Sequence, residues 1–231
     1  MKSRTISYHR PDGKSVDGYL AEPAGGGKAP GVVVIQEWWG LNDQIRGVAD
    51  KLAADGFRAL VPDLYRGKST VEAKEAEHLM TGLNFGDAAA QDIRGAVQYL
   101  KSSGSAKAAV TGFCMGGALT ILSAVNVPEA DATVPWYGFP PLEYVDASKI
   151  KAPMMAHWAL QDEFFPIAKV EELEKKLKAA GVHFDFYRYP AKHAFANETA
   201  NEKKLPPLEY NPQAAELAWK RTMEFLAKNL Q

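Results

Sequence analysis

Cys114, the only cysteine among 231 residues, stands in the segment Gly112-Phe113-Cys114-Met115-Gly116-Gly117. A thiol attacks as its thiolate, so the groups around it decide what it can do. Residues 106–111 (Ala-Lys-Ala-Ala-Val-Thr) read as a short buried strand, and residues 118–124 (Ala-Leu-Thr-Ile-Leu-Ser-Ala) as an apolar helix. Cys114 therefore falls on a strand-to-helix corner. Gly112 and Gly116 have no β-carbon, which lets the corner turn tightly and pushes the side chain between them outward. The unpaired amides at the helix start then favour a thiolate and a developing oxyanion. Elsewhere a lone cysteine would read as a small buried hydrophobe; between these glycines it reads as a nucleophile.

Such a nucleophile needs a base, and an acid that orients the base. Of five histidines, only His193, in Pro190-Ala-Lys-His-Ala-Phe195, follows a late strand and precedes the last helix, which makes it the expected base. His157 lies inside an apolar run and reads as a core or supporting histidine, and His9, His78 and His183 read as surface or packing residues. Asp162, in the turn after the His157 run, is the expected acid. Its rivals are Asp146, in a loop away from that position, and Asp185, which alternates within a strand.

Gln36-Glu37-Trp38-Trp39-Gly40 is the second informative segment, because it follows the first buried strand. A loop there donates one oxyanion N–H and the residue after the nucleophile donates the other, which assigns the backbone of Trp38 and Met115. Glu37 has two readings. It is either an exposed loop carboxylate or a group acting beside Cys114, where its charge would oppose a thiolate.

The elements that must position these residues alternate along the chain. Thr5-Ile-Ser-Tyr, a Pro11-Asp-Gly turn and residues 16–21 predict an N-terminal antiparallel hairpin. Gly31-Val-Val-Val-Ile35 is a continuous apolar run of the kind covered on both faces. A helix over 44–55 and a strand over 57–61, stopped by Pro62, come next. Helices follow over 71–79 and 87–101, then the corner itself. Strands over 132–137, 152–157 and 182–189 and helices over 167–180 and 212–229 complete the pattern. Together they predict one α/β domain over 1–231, a mostly parallel central sheet with helices on both faces. In such sheets the site lies at the carboxyl ends of the strands, where Glu37, Cys114, Asp162 and His193 all fall.

Composition narrows the classes. Basic and acidic residues number 27 and 28 and are interspersed, so no basic stripe points to nucleic acid. The first thirty residues lack an apolar core of signal-peptide length, and no apolar stretch is long enough to span a bilayer. The expectation is a soluble, cytoplasmic monomer with no membrane partner, in a compartment whose reducing conditions suit a free thiol. Scattered histidines and a Gly25-Gly-Gly27 loop that precedes a strand argue for no metal and no organic cofactor.

The chain resembles the dienelactone hydrolase (carboxymethylenebutenolidase) family of α/β-hydrolases over almost its whole length. The resemblance rests on Gln36-Glu37, Pro62-Asp63-Leu64-Tyr65, the Gly112–Gly117 corner, Gln161-Asp162 and His193-Ala-Phe195. It implies a Cys114-His193-Asp162 triad that opens small lactones or esters through a thioester acyl-enzyme. It also implies that Glu37 takes the thiol proton when substrate binds, which would limit oxidation of a resting Cys114.

One departure bears on the substrate. Family members that open dienelactone carry an arginine four residues after the catalytic histidine, where this chain has Asn197. A second family arginine has no match, although Lys74 lies nearby as a point charge. Trp39, Phe85, Trp136, Tyr137 and Phe139 join Trp38 as candidate pocket aromatics, with Asn197 and Lys74 at its polar positions. The expectation is an enzyme that depends little on a substrate carboxylate. Two alternatives keep the fold: a thioesterase or aryl esterase, and a non-catalytic binding or thiol-sensing protein.

Overall fold

The computed structural model describes residues 1–231. The chain starts with two strands, β1 (Lys2–His9) and β2 (Ser15–Glu22), paired antiparallel from Lys2 opposite Glu22 to His9 opposite Ser15. β3 (Gly31–Ile35) follows, and all five of its residues are buried. Its side chains alternate between two cores: Val32 and Val34 join one cluster, Val33 and Ile35 the other. Helix α1 (Asp43–Ala54) is capped by the Asn42 side chain, which accepts from the Ile45 N–H, and leads to β4 (Arg58–Pro62).

β4 runs one residue past the sequence-derived stop, because Pro62 sits at its end opposite Gly18 of β2 and no further residue of β4 is paired. After α2 (Ala73–Thr81), the expected single helix over 87–101 begins at α3 (Phe85–Asp87) and widens into a π-wound turn over Ala88–Ile93. It then continues as α4 (Arg94–Ser102). That wide turn carries Asp92, which is 1% exposed and within 3.0 Å of Arg10 and 2.9 Å of Arg66, so it ties the helix to the hairpin.

β5 (Ala108–Phe113) runs straight to the corner, and α5 (Met115–Asn126) starts immediately after Cys114. The apolar pattern reads as helix from residue 118, whereas the helix begins at Met115, because burial of the whole first turn overrides the poor helix propensity of Gly116 and Gly117. β6 (Ala132–Trp136), β7 (Met154–Ala159), α6 (Ile167–Ala179), β8 (Phe184–Tyr189) and α7 (Pro212–Leu230) follow. The sheet order is β1-β2-β4-β3-β5-β6-β7-β8, antiparallel across β1, β2 and β4 and parallel from β4 to β8. α1 and α7 cover one face with Ile45, Leu52, Ala218 and Leu226; the π turn, α4 and α5 cover the other with Ile93, Val97, Leu100 and Leu119. β3 lies between β4 and β5, so successive connections leave it in opposite directions, and a crevice opens at its carboxyl end. Glu37 and Cys114 leave the sheet at that crevice.

Candidate active site

Cys114 adopts φ 57° and ψ −116°, a conformation that costs a non-glycine residue about 1–3 kcal/mol. Its surroundings hold it there. The Cys114 N–H donates to Trp136 O at 3.0 Å, and the Cys114 carbonyl accepts from Gly117 N at 2.9 Å and Ala118 N at 3.2 Å. A β-carbon on Gly112 would lie 2.2 Å from the Gly116 carbonyl oxygen, and one on Gly116 would lie 2.4 Å from that of Ile35. Gly138, which sequence reading did not single out, is equally constrained: its β-carbon would fall 1.8 Å from the Cys114 carbonyl oxygen. Nothing in the sequence pattern marks Gly138, because the approach joins separate strands.

His193 and Asp162 meet from different loops, Nδ1 to Oδ2 at 2.7 Å, with both side chains almost wholly buried. Asp162 Oδ1 accepts from the Phe164 N–H at 2.8 Å and the Phe165 N–H at 2.9 Å, which fixes the carboxylate. Asp162 occupies Nδ1, so Nε2 is the nitrogen left for Cys114, with which His193 shares a cavity. Burial works against a charge on His193, but Cys114 and then Asp162 outweigh it and push His193 up to about 10. Asp146 and Asp185, the sequence-level rivals, are both exposed.

Glu37 is 5% exposed, which removes the reading of a solvated loop carboxylate. Its Oε2 accepts from Asn197 Nδ2 at 2.8 Å and its Oε1 from the Tyr137 hydroxyl at 3.4 Å. The Asn197 amide cannot turn round, because its Oδ1 accepts from the Thr199 N–H at 2.9 Å and hydroxyl at 2.8 Å. Both hydrogen bonds to Glu37 thus come from neutral donors. Burial raises Glu37 above the usual carboxylate range, against the opposing pull of the His193 charge and these hydrogen bonds. Burial and Glu37 in turn hold Tyr137 well above the usual phenol range, so it remains a donor.

Cys114, His193 and Glu37 open on one cavity of about 200 Å³. Its apolar wall comes from Trp38, Trp39, Met80, Phe164, Phe165 and Leu208, with Met115 beneath. The Trp38 N–H has no backbone acceptor, and Met115 opens α5 with no helical partner for its own N–H. Met80, Phe164, Phe165 and Leu208 were not expected; they come from α2 and from loops whose fold brings them over the sheet.

Several expected pocket residues lie elsewhere. Trp136 is 1% exposed, donates from Nε1 to Thr111 Oγ1 at 3.2 Å and packs on the His157 ring at 4.2 Å, so it is core. Phe85 begins α3 and packs against the core on the α4 and α5 side of the sheet, Lys74 is exposed on α2, and Phe139 meets Trp158 and Phe165 edge-on. Tyr137 and Asn197 stand behind Glu37 rather than on the cavity wall. A larger cleft of about 390 Å³ lies between α1 and α7, and Cys114, His193 and Glu37 are not in it.

His157 is wholly buried, as its apolar run implied. Thr222 Oγ1 donates to Ala218 O at 2.9 Å, so it accepts from His157 Nε2 at 2.8 Å, and Nδ1 accepts from the Tyr189 hydroxyl at 2.9 Å. Burial, with a smaller push from Arg221, lowers His157 to about 3, and it stays neutral.

Residues 16–230, nearly the whole sheet and every residue of this site, match the Dienelactone hydrolase family. The chain belongs to that family. It is 37% identical over 229 residues to Protein usf of Aquifex pyrophilus, covering 95% of this chain and 96% of that one. It is 33% identical over 230 residues to a protein of Aquifex aeolicus (strain VF5) named as a candidate carboxymethylenebutenolidase, covering 95% and 96%. A solved candidate dienelactone hydrolase from Klebsiella pneumoniae subsp. pneumoniae MGH 78578 superposes with a TM-score of 0.83 at 26% identity, over 98% of this chain and 99% of that one. A dienelactone hydrolase-like promiscuous phosphotriesterase from metagenomic libraries has the same fold, with a TM-score of 0.88 at 22% identity and complete coverage of both chains. This member of the dienelactone hydrolase family is accordingly an α/β-hydrolase-fold enzyme, a carboxylic ester hydrolase.

Proposed function

We propose that the enzyme opens small, uncharged lactones and esters through a thioester on Cys114. The observation that carries this reading is the His193–Asp162 hydrogen bond of 2.7 Å in the same cavity as a cysteine held at positive φ. Cys114 Sγ attacks the acyl carbon as a C–S bond forms, and the carbonyl electron pair moves onto oxygen, where the Trp38 and Met115 N–H groups receive it. The C–O bond to the leaving alkoxide then breaks, and the alkoxide takes a proton from the His193 imidazolium. In a lactone this alcohol stays tethered to the acyl group. Water next gives a proton to His193 and attacks the thioester; the C–S bond breaks, restoring the thiolate and releasing a carboxylic acid. Asp162 orients the imidazole through both half-reactions.

Where Cys114 rests protonated instead of paired with the His193 imidazolium, Glu37 accepts the thiol proton on substrate binding and returns it to the thiolate when product leaves. Its support is burial, a raised pKa and two neutral donors, in a position open to the Cys114 cavity. The substrate class follows from the wall. No lysine or arginine lines the cavity and a carboxylate does, so an anionic substrate meets no clamp there. A protein with every candidate residue on one chain can act as a monomer, and we infer a single domain and a cytoplasmic site of action, where a free thiol persists.

The test is turnover of p-nitrophenyl acetate with mass-spectrometric trapping of acyl-Cys114. Wild type is expected to gain the acyl mass on the Cys114 peptide, and Cys114→Ala to lose both adduct and turnover. Turnover that survives in Cys114→Ala overturns the mechanism. A lactone carboxylate with much higher kcat/KM than its methyl ester overturns the substrate class.

A further inference from the structure

The turn that fixes Asp162 also builds two sides of a box around His193, and the end of β6 supplies a third. The Phe165 ring lies nearly parallel to the imidazole, with centroids 5.6 Å apart and planes 27° apart. Phe164 meets it edgewise at 5.1 Å and 68°, and Tyr137 does the same from the end of β6 at 5.2 Å and 73°. Phe139 backs Phe165 at 5.1 Å, so the stacked ring has little freedom to leave. Phe164 is 48% exposed and so forms the outer side of the box. His193 itself is 2% exposed.

A cation within about 6 Å of an aromatic centroid is attracted by the negative face of the ring, the more so where water is excluded. The same ring does nothing comparable for a neutral imidazole. We propose that Phe165, with Phe164 closing the mouth beside it, is a positioning residue that favours the imidazolium form of His193 and so extends to higher pH the range over which His193 can stand as the cationic partner of Cys114. The inference rests on the Cys114–His193 reading above. The ionisable groups that face His193 are Cys114 from the β5–α5 corner, Asp162 from the loop after β7, Glu37 from the loop after β3 and Tyr137 from beyond β6. Three of these are acids that also favour the imidazolium, and the phenol stays neutral. The nearest cations are committed elsewhere: Lys192 pairs with Glu209 at 2.7 Å, and Lys203 lies over the Trp39 ring at 4.5 Å. The aromatic contribution is therefore an increment on a field already set by carboxylates and thiolate.

The chemistry of one turn thus serves two needs. Its backbone N–H groups hold the acid, and its side chains hold the charge state of the base. Nothing in the sequence beyond Phe164-Phe165 following Asp162 announces the arrangement, and only the return of His193 from after β8 makes it one site.

The experiment is a pH titration of the His193 imidazole by NMR in histidine-labelled full-length protein, assigned with His193→Gln. It is run on wild type, Phe165→Leu and Phe165→Trp. Leucine keeps the apolar cover and removes the ring face; tryptophan keeps a face. The deprotonation midpoint is expected to fall by about half a pH unit or more in Phe165→Leu and to hold in Phe165→Trp. An unmoved midpoint in Phe165→Leu, or an equal fall in both variants, overturns the proposal. Cys114→Ser separates this from failure of the underlying reading: if wild-type His193 titrates near an ordinary histidine and Cys114→Ser leaves it there, the ion pair itself is absent.

Discussion

His193 and His157 are buried to almost the same degree, at 2% and 0% exposure, yet one is pushed up to about 10 and the other down to about 3. Desolvation acts on both in the same direction, against the cation. The difference lies in what each ring meets. His193 meets a carboxylate at 2.7 Å and a thiol, both able to carry negative charge. His157 meets two hydroxyls, with Arg221 beyond them on the Tyr189 hydroxyl at 3.1 Å. Burial thus amplifies whatever partners the fold supplies, giving one histidine a charge beside the Cys114 cavity and making the other a neutral strut between β7, β8 and α7.

The largest expected effect breaks the pair apart by activity. His193→Gln should lower kcat for p-nitrophenyl acetate by on the order of 10³-fold or more, since both proton transfers are lost. His157→Gln should leave kcat within a few-fold in protein that remains folded. Comparable losses in both, with equal melting curves, would mean that His157 takes part in the chemistry.

A second comparison is in stability against pH. Unfolded His157 binds a proton as pH falls through about 6.5, while the folded state resists it down to about 3. Its contribution is present above about 6.5 and is lost as pH falls between those limits. His193 has the opposite sign. Its folded value lies above the unfolded one, so its contribution is full below about 6.5 and is lost as pH rises through about 10. Urea midpoints should accordingly drop less between pH 7 and pH 4.5 in His157→Phe than in wild type, and less between pH 7 and pH 10 in His193→Gln. Parallel curves for variant and wild type at either end would remove that half of the contrast.

The smallest effect concerns the carboxylates beside the same ring. Asp162 is held by two amides and an imidazolium, whereas Glu37 is held by an amide and a phenol and is raised by burial. A raised carboxylate contributes most while protonated and loses that contribution as pH rises. Glu37→Gln should therefore raise the melting temperature slightly at pH 8 and not at pH 4, while Asp162→Asn lowers it at pH 8. A destabilised Glu37→Gln at pH 8 would show that Glu37 is better paired than its two neutral donors suggest.

Most of the frame was legible from local pattern. The β-branched run 31–35, the hairpin and the alternation of strands and helices are short-range signals, and each became an element within a few residues of its expected ends. The corner at Cys114 was legible because glycines on both sides have a steric reason to be there. Of the pocket wall, only Trp38 and Trp39 were. Trp136, Phe85 and Lys74 stood near the right strands or helix in sequence but face the core, another cluster or solvent. Met80 and Leu208 gave no signal, because an apolar residue on a helix or loop looks the same whether it lines a cavity or a core.

By itself, the sequence determined the order of strands and helices, the corner that exposes Cys114 and the loops that carry Glu37, Asp162 and His193, since these follow from residue type and spacing along the chain. Only the tertiary structure decided how those groups are charged. That depends on distances between residues far apart in sequence: Asp162 to His193, Asn197 to Glu37, Phe165 over His193, Thr222 under His157. Electrostatic energies change steeply over an ångström in a dry interior, and no local pattern encodes an ångström.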